Sequence, residues 1–198
     1  MPKKAGIVFV VIGAVLILSA LLLFFYNQHE DERAGQEAQT ILNDVQSVIA
    51  QRETEETEAD GESNQLPVEM IDGYEYVGYL SIPDLEIALP VMADWSYERL
   101  ELAPCRQFGS TATDDLVIAG HNYKRHFGSL NRLGLGASIL FTDMNGNATS
   151  YLVEKMETID PEAVDAVQNS GYGLVLYTCT YGGTNRVAVF CNQSDSAK

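Results

Sequence analysis

Leu174-Val175-Leu176-Tyr177-Thr178-Cys179-Thr180-Tyr181-Gly182-Gly183-Thr184-Asn185-Arg186-Val187-Ala188-Val189-Phe190 reads as two strands joined by a short turn. The first run is apolar and rich in strand-forming residues until it stops at a thiol; the second opens on a guanidinium. Between them, a Gly-rich segment from Thr180 to Asn185 is short enough for the two strand ends to face one another. A cation beside a thiol favours the thiolate, which is the nucleophilic form. Far upstream, Leu116-Val117-Ile118-Ala119-Gly120-His121 is another apolar run, and it ends in a histidine. Taken singly, each residue has an ordinary explanation: cysteine is a frequent core residue, histidine is often a hydrogen-bonded structural group, and arginine is mostly solvated. Taken together, all three stand at strand ends. Cys179, His121 and Arg186 are therefore read as a candidate nucleophilic site. Cys105 and Cys191 read as buried thiols or as a mutual pair; with three cysteines, at least one stays free.

The N-terminus sets the compartment. After basic Met1-Pro2-Lys3-Lys4, the 22 residues from Ala5 to Tyr26 carry no charge. About 20 apolar residues span a bilayer core. The segment is apolar on all faces, unlike a soluble surface helix, and no Ala-x-Ala cleavage site follows it, so it reads as an uncleaved anchor. Lys3 and Lys4 precede the span and Glu30, Asp31 and Glu32 follow it. This asymmetry predicts a cytoplasmic N-terminus and an extracellular remainder, and with no second apolar span near Lys198 a single pass is expected.

Charge marks a tether. The chain carries a net charge of -16, and residues 27–70 hold twelve acidic side chains against two basic ones. From Glu53 to Glu69 there are seven acids and no base, a composition that stays solvated. Before it, Ala38, Ile41, Leu42, Val45, Val48 and Ile49 recur at the spacing of an amphipathic helix, which either packs on the domain or forms a stalk. The expected organisation is a cytoplasmic end at 1–4, an anchor at 5–26, a helical and acidic linker at 27–70 and a catalytic domain at 71–198. The acidity excludes a nucleic-acid partner and electrostatic adhesion to anionic lipid.

The domain itself reads as mainly β. Strands are expected at Tyr76–Ile82, Glu86–Val91, Leu116–Ala119, Ala137–Phe141 and Thr149–Glu157, with Pro83-Asp84 and Asn145-Gly146 as turns. Short helices are expected over Trp95–Ala103, ended by Pro104, and over Pro161–Val167, capped by Asp160. The basic Asn122–Leu133 segment reads as a partly exposed helix. Short strands at this density suggest a closed or nearly closed barrel. No metal motif is present: His121 and His126 lack the glutamate of a zincin pattern. His126 falls in a polar, solvated setting and is the weaker rival of His121. His29 lies just past the anchor, with no catalytic partner.

Leu176-Tyr177-Thr178-Cys179 with Arg186 downstream, Ala119-Gly120-His121 upstream and Gly78-Tyr79-Leu80-Ser81-Ile82-Pro83 as a first strand resemble the sortase family, the membrane-anchored cysteine transpeptidases of Gram-positive bacteria. The resemblance covers roughly Tyr74 to Gln193 and includes the order His, Cys, Arg. It implies a closed eight-stranded β-barrel with short helices, preceded by the anchor and linker. In the family's Thr-Leu-x-Thr-Cys signature, Val175 stands here where threonine is usual, which points to a packing role at that position.

The resemblance also implies the chemistry. Cys179 would attack a sorting-signal peptide and form a thioacyl enzyme. His121 would serve as general acid and then base, and Arg186 would donate to the substrate or the oxyanion. Thr178 and Tyr181 are the expected substrate-binding residues. The implied partners are the sorting signal of a secreted surface protein and an amine of the cell wall or of a pilin. No cofactor or metal is expected: calcium dependence occurs in some relatives of the family, but no acidic cluster here is placed to support it. Phe127-Gly128-Ser129-Leu130 looks like class B. The stretch from Ser150 to Cys179 is short for that class's long helix, and the chain shows neither a C-terminal anchor nor the Asp-Pro-aromatic lid of class C. The reading is a class B-like or unassigned anchoring enzyme. A hydrolytic extracellular cysteine peptidase and a non-catalytic wall-binding barrel are the rival readings.

Overall fold

The computed structural model describes residues 2–54 and 64–194. The chain divides into two compact units, Met1–Arg33 and Ala34–Lys198. The first is the N-terminal part of helix α1 (Pro2–Thr54). Its large apolar side chains, from Ile7 to Phe25, are exposed all round. This helix is long and apolar enough to cross a membrane, and lipid is the solvent in which such a surface is stable. The greater part of the acidic run, residues 55–63, lies outside the described residues.

In the second unit nine strands form one sheet: β1 (Glu69–Ile71), β2 (Tyr74–Ile82), β3 (Ile87–Met92), β4 (Cys105–Phe108), β5 (Leu116–Ala119), β6 (Ser138–Asp143), β7 (Ala148–Ile159), β8 (Leu174–Cys179) and β9 (Arg186–Gln193). They pair in the order β1-β2-β3-β4-β5-β8-β9-β7-β6, and β6 returns to β2 through Gly78↔Asp143 to Ser81↔Leu140. That last ladder closes an eight-stranded barrel, with β1 as an extra short strand on the start of β2. Closure pairs strand edges that would otherwise be open.

β5, β8 and the middle of β9 are buried on both sides. Leu116, Ile118, Leu174, Leu176, Val189 and Cys191 fill the interior. Their neighbours of opposite parity, Val117, Val175, Ala188 and Phe190, form a separate outer cluster with Val167 of helix α3 (Val164–Gln168). A second outer cluster joins Tyr76, Met92, Cys105 and Ala119 to Leu100 of helix α2 (Tyr97–Leu102) and to Val45 and Ile49 of α1. Two-sided burial explains why β5 and β8 read as unbroken apolar runs rather than alternating ones. It also gives Val175 the packing role expected of it, since that side chain is fully buried.

The amphipathic part of α1 packs on the barrel. Ala34, Ala38, Leu42, Val45 and Ile49 are buried, and Ile41 and Val48 pack at the margin. At its end, Arg52 pairs with Glu69 and donates to Asn145 Oδ1 at 2.8 Å. Leu66 is also buried in the interior cluster.

Several local expectations are modified. The Asn145-Gly146 hairpin forms, with the buried Asp143 carboxylate accepting from the amides of Asn145 and Asn147 at 2.8 and 2.9 Å. Ser96, whose hydroxyl accepts from Arg99 N, caps α2. Asp160 caps only a turn, through Glu162 N at 2.9 Å, and α3 starts later, at Val164. Residues 122–133 form hydrogen-bonded turns and one 3-10 turn at Leu130–Arg132, not an α-helix. Within them His126 is fully buried, not solvated; its Nε2 lies 3.4 Å from the Ala34 carbonyl oxygen of α1. The polar residues around it in sequence hid its proximity to a distant helix. β1 and β4 are too short for periodicity to reveal. All three cysteines are free: Cys105 and Cys191 sit in different clusters, so the mutual pair is not formed.

Two predictions follow from the packing. Leu42→Ala in the full chain should destabilise the second unit by about 2–5 kcal/mol, as for other buried leucines, read as a lower melting temperature in detergent; an unchanged melt would mean that the helix does not pack there. Burial raises Cys105 and Cys191 from 9.0 to about 12, and it raises Tyr76 and Tyr177 from 10.0 to about 12. The folded state therefore holds these protons more tightly than the unfolded chain. Stability should be level up to about pH 9 and fall as pH rises towards about 12. A melting temperature that rises over that range would contradict the burial of these groups.

Candidate active site

The site is built from two parallel neighbours. β5 and β8 run side by side in the register Leu116↔Leu174 to Ala119↔Tyr177, and Gly120 N continues the ladder by donating to the Tyr177 carbonyl oxygen at 3.0 Å. His121 and Cys179 each lie two residues beyond the last register pair. Both strands therefore deliver their polar residue to one rim of the barrel, although 57 positions separate them in the chain.

β9 brings the third residue. It is antiparallel to β8, and Cys179 is the direct register partner of Arg186. The connecting loop is tight: Thr180 N donates to Asn185 O at 2.9 Å and Gly183 N to Thr180 O at 2.8 Å. Gly182 and Gly183 hold φ of 87° and 75°, in the left-handed region that glycine tolerates without strain. The Arg186 guanidinium donates to the carbonyl oxygens of Gly183 and Asn185, each at 3.1 Å, which orders the cation over the loop.

Strand parity places these residues on one face. Val175 and Tyr177 on β8, and Ala188 and Phe190 on β9, pack in or against an outer cluster. Cys179 and Arg186 share that parity, and so does His121 relative to Val117 and Ala119. Thr178 has the parity of interior Leu174 and Leu176; its side chain is buried, and its hydroxyl has no hydrogen-bond partner among the described residues. Tyr181, at the tip of the loop, is fully exposed and does not line the groove described next.

A groove of about 190 Å³ runs on this outer face. Its lining includes Trp95, Tyr97 and Leu100, then Ile159, Asp160, Pro161, Ala163 and Val167, and Gln107, Ala119, Gly120 and Tyr177. Thr178, Cys179 and Arg186 close one part of it. The Trp95 and Tyr97 rings meet edge to face at 4.9 Å. The Tyr177 hydroxyl donates to Gln107 Oε1. A mostly apolar lining with few polar groups suits an extended peptide better than a charged small molecule. Sequence reading assigned Trp95 and Tyr97 only to a short helix and Gln107 to nothing. No local signal could have found them, because they meet through three separate pairings: β3 with β4, β4 with β5 and β5 with β8.

His121 belongs to a second, aromatic assembly. Its ring stacks on Tyr123 at 4.1 Å and 7°, and it is absent from the groove lining. Gly120 lets Phe127 close over the strand end, since a Cβ there would meet the Phe127 ring. Phe127 N donates to the His121 carbonyl oxygen at 3.1 Å, which fixes the backbone of the histidine.

Comparison with known proteins agrees with this architecture. Residues 80–194 match the Sortase domain. Among solved structures, the chain is similar to a Sortase D5 transpeptidase from Clostridium perfringens, with a TM-score of 0.59, 16% identity and coverage of 81% of this chain and 99% of that one. It is similar to sortase C1 from Streptococcus agalactiae, with a TM-score of 0.55, 25% identity and coverage of 80% and 90%. It is also similar to sortase C1 from Streptococcus suis, with a TM-score of 0.54, 21% identity and coverage of 62% and 74%. No curated protein matches the sequence. These structures are of classes C and D, so the class B likeness of Phe127–Leu130 is not carried by them. Both the sequence match and the closed barrel lead to one assignment: the chain belongs to the sortase family of cysteine transpeptidases.

Proposed function

We propose that the chain is a membrane-anchored sortase that uses Cys179 as nucleophile, with His121 and Arg186 as its partners. The observation that carries the reading is the register pair Cys179↔Arg186 on the grooved face of the barrel, with His121 delivered to the same rim. Cys179 is half-buried and lines the groove, whereas Cys105 and Cys191 are buried in apolar clusters. That contrast favours a working thiol over a packing one.

The proposed reaction has two halves. The Cys179 thiolate attacks the carbonyl carbon of the scissile bond in a sorting-signal peptide, and the carbonyl oxygen becomes an oxyanion. Arg186, a planar donor that stays charged, hydrogen-bonds to the oxyanion or to the peptide beside it. The C–N bond breaks as His121 gives a proton to the leaving amine, leaving a thioester on Cys179. A primary amine from the wall or a pilin then attacks the thioester. His121 takes the amine proton, the new amide forms and the thiolate is released. Thr178 borders the groove beside the nucleophile and is proposed to position the peptide; Tyr181 is proposed to meet the substrate outside the groove. The anchor and its flanking charges support a domain outside the cell with the N-terminus in the cytoplasm.

The full chain in detergent, given a library of sorting peptides, should form a thioacyl adduct on Cys179 visible by mass spectrometry. Adding an amine acceptor should convert it to amide product; hydrolysis alone would favour the peptidase reading. Cys179→Ala should abolish turnover, by about 10⁴-fold or more, and His121→Ala and Arg186→Ala should each lose about 10²–10⁴-fold. Full activity in Cys179→Ala would sink the proposal. Alkylation gives an independent check. The native protein should take up one label, at Cys179, and three after denaturation, because burial raises Cys105 and Cys191 to about 12 and keeps them as shielded thiols. A Cys179 as slow as the other two would favour the non-catalytic barrel.

A further inference from the structure

A histidine that moves protons usually has its ring held by a hydrogen bond at the nitrogen not engaged in the reaction. His121 lacks that support. Its Nδ1 is buried and has no hydrogen-bond partner among the described residues. Among the described residues no carboxylate or carbonyl holds this nitrogen, and the nitrogen left to exchange protons is Nε2.

The contact that does define the plane is aromatic. Tyr123 lies parallel to the imidazole with ring centroids 4.1 Å apart and an angle of 7°. Tyr123 is itself held from two sides. Its carbonyl oxygen accepts from His126 N at 3.0 Å and from Gly128 N at 2.9 Å, closing the turn around it. The ring of His126 meets the Tyr123 ring edge to face at 5.4 Å and 74°. His126 is fully buried, and its Nε2 abuts the Ala34 carbonyl oxygen of α1 at 3.4 Å. The result is a row of three rings, running from the strand end of β5 to α1, whose last member lies against the Ala34 carbonyl oxygen.

We propose that Tyr123 is a positioning residue for His121: its stacked ring, not a hydrogen bond, sets the plane in which the imidazole presents Nε2 to the reacting groups. The inference rests on the acid–base reading of His121 given above. A flat face offers the same guidance to the neutral and the protonated ring and takes up no proton of its own. It therefore leaves His121 free to act as acid in one half-reaction and base in the other. The phenol hydroxyl is not required for this role; the ring is.

The test uses the full chain in detergent micelles with isotope-labelled histidine. The chain has three histidines, and the signal lost in His121→Gln identifies the one of interest. In the wild type the His121 ring protons should show the upfield shift that a parallel aromatic ring imposes. Tyr123→Phe should keep that shift and stay within about threefold of wild-type kcat/KM, since the packing is conserved. Tyr123→Leu and Tyr123→Met should lose the shift and lose about 10- to 100-fold in kcat/KM, the usual result of a misplaced reacting group, while Cys179 still alkylates and the fold still melts cooperatively. Two non-aromatic replacements guard against one that fails to fold. The proposal is overturned if the wild type shows no upfield shift, or if a folded Tyr123→Leu or Tyr123→Met variant loses the shift and works as well as wild type. His121→Ala separates the two claims. Full activity there removes the role of His121 itself; lost activity there beside normal activity in a folded non-aromatic Tyr123 variant removes only the role of Tyr123.

Discussion

The parallel ladder between β5 and β8 is the constraint on which the site depends. A parallel pair cannot be made by a hairpin; it needs a crossover, here the β6–β7 excursion and α3 between the two strands. The reward is that both strands end at the same rim. Gly120 N to Tyr177 O is the last bond of that ladder, and His121 and Cys179 follow directly. If β8 slipped by one residue, Cys179 would move to the interior parity and Thr178 to the grooved face. The interior Leu174 and Leu176 oppose that slip, because it would also turn them outward and bring Val175 inward.

Burial on both faces of the barrel makes the register strict, and it is why the helices matter. α1, α2 and α3 each cover an outer patch that a bare barrel would leave apolar and exposed. Two of them have a second use: α2, through Tyr97 and Leu100, and α3, through Val167, also line the groove. Apolar outer surface thus lines the groove beside Cys179. The same outer cluster that seats α1 includes Ala119, two residues before His121. Stability and site geometry therefore share side chains.

The candidate residues were legible because strand ends are legible. Leu116–Ala119 and Leu174–Thr178 are apolar runs long enough to recognise, and a polar residue that stops such a run stands out. Arg186 was legible for the same reason, since the Gly182-Gly183 turn limits how far the chain travels before β9. The short elements were not. β4 has four residues and a register shift between Arg106 and Phe108, so no periodicity marks it, and Gln107 went unseen with it. His126 was misjudged because its polar sequence neighbours say nothing about Ala34, which lies 92 residues away and covers it.

By itself the sequence determined the long apolar N-terminal helix, the mainly β barrel, the hairpin at Asn145-Gly146 and the three residues at strand ends. Each of these follows from local composition or from a periodicity of two or 3.6 residues. Tertiary structure alone decided that α1 packs on the barrel rather than standing apart, that Cys105 and Cys191 fall in different clusters and stay unpaired, and that Tyr123 stacks on His121. These depend on which distant surfaces meet, and the energy of a meeting surface is carried by pairs of residues that no single stretch of chain contains.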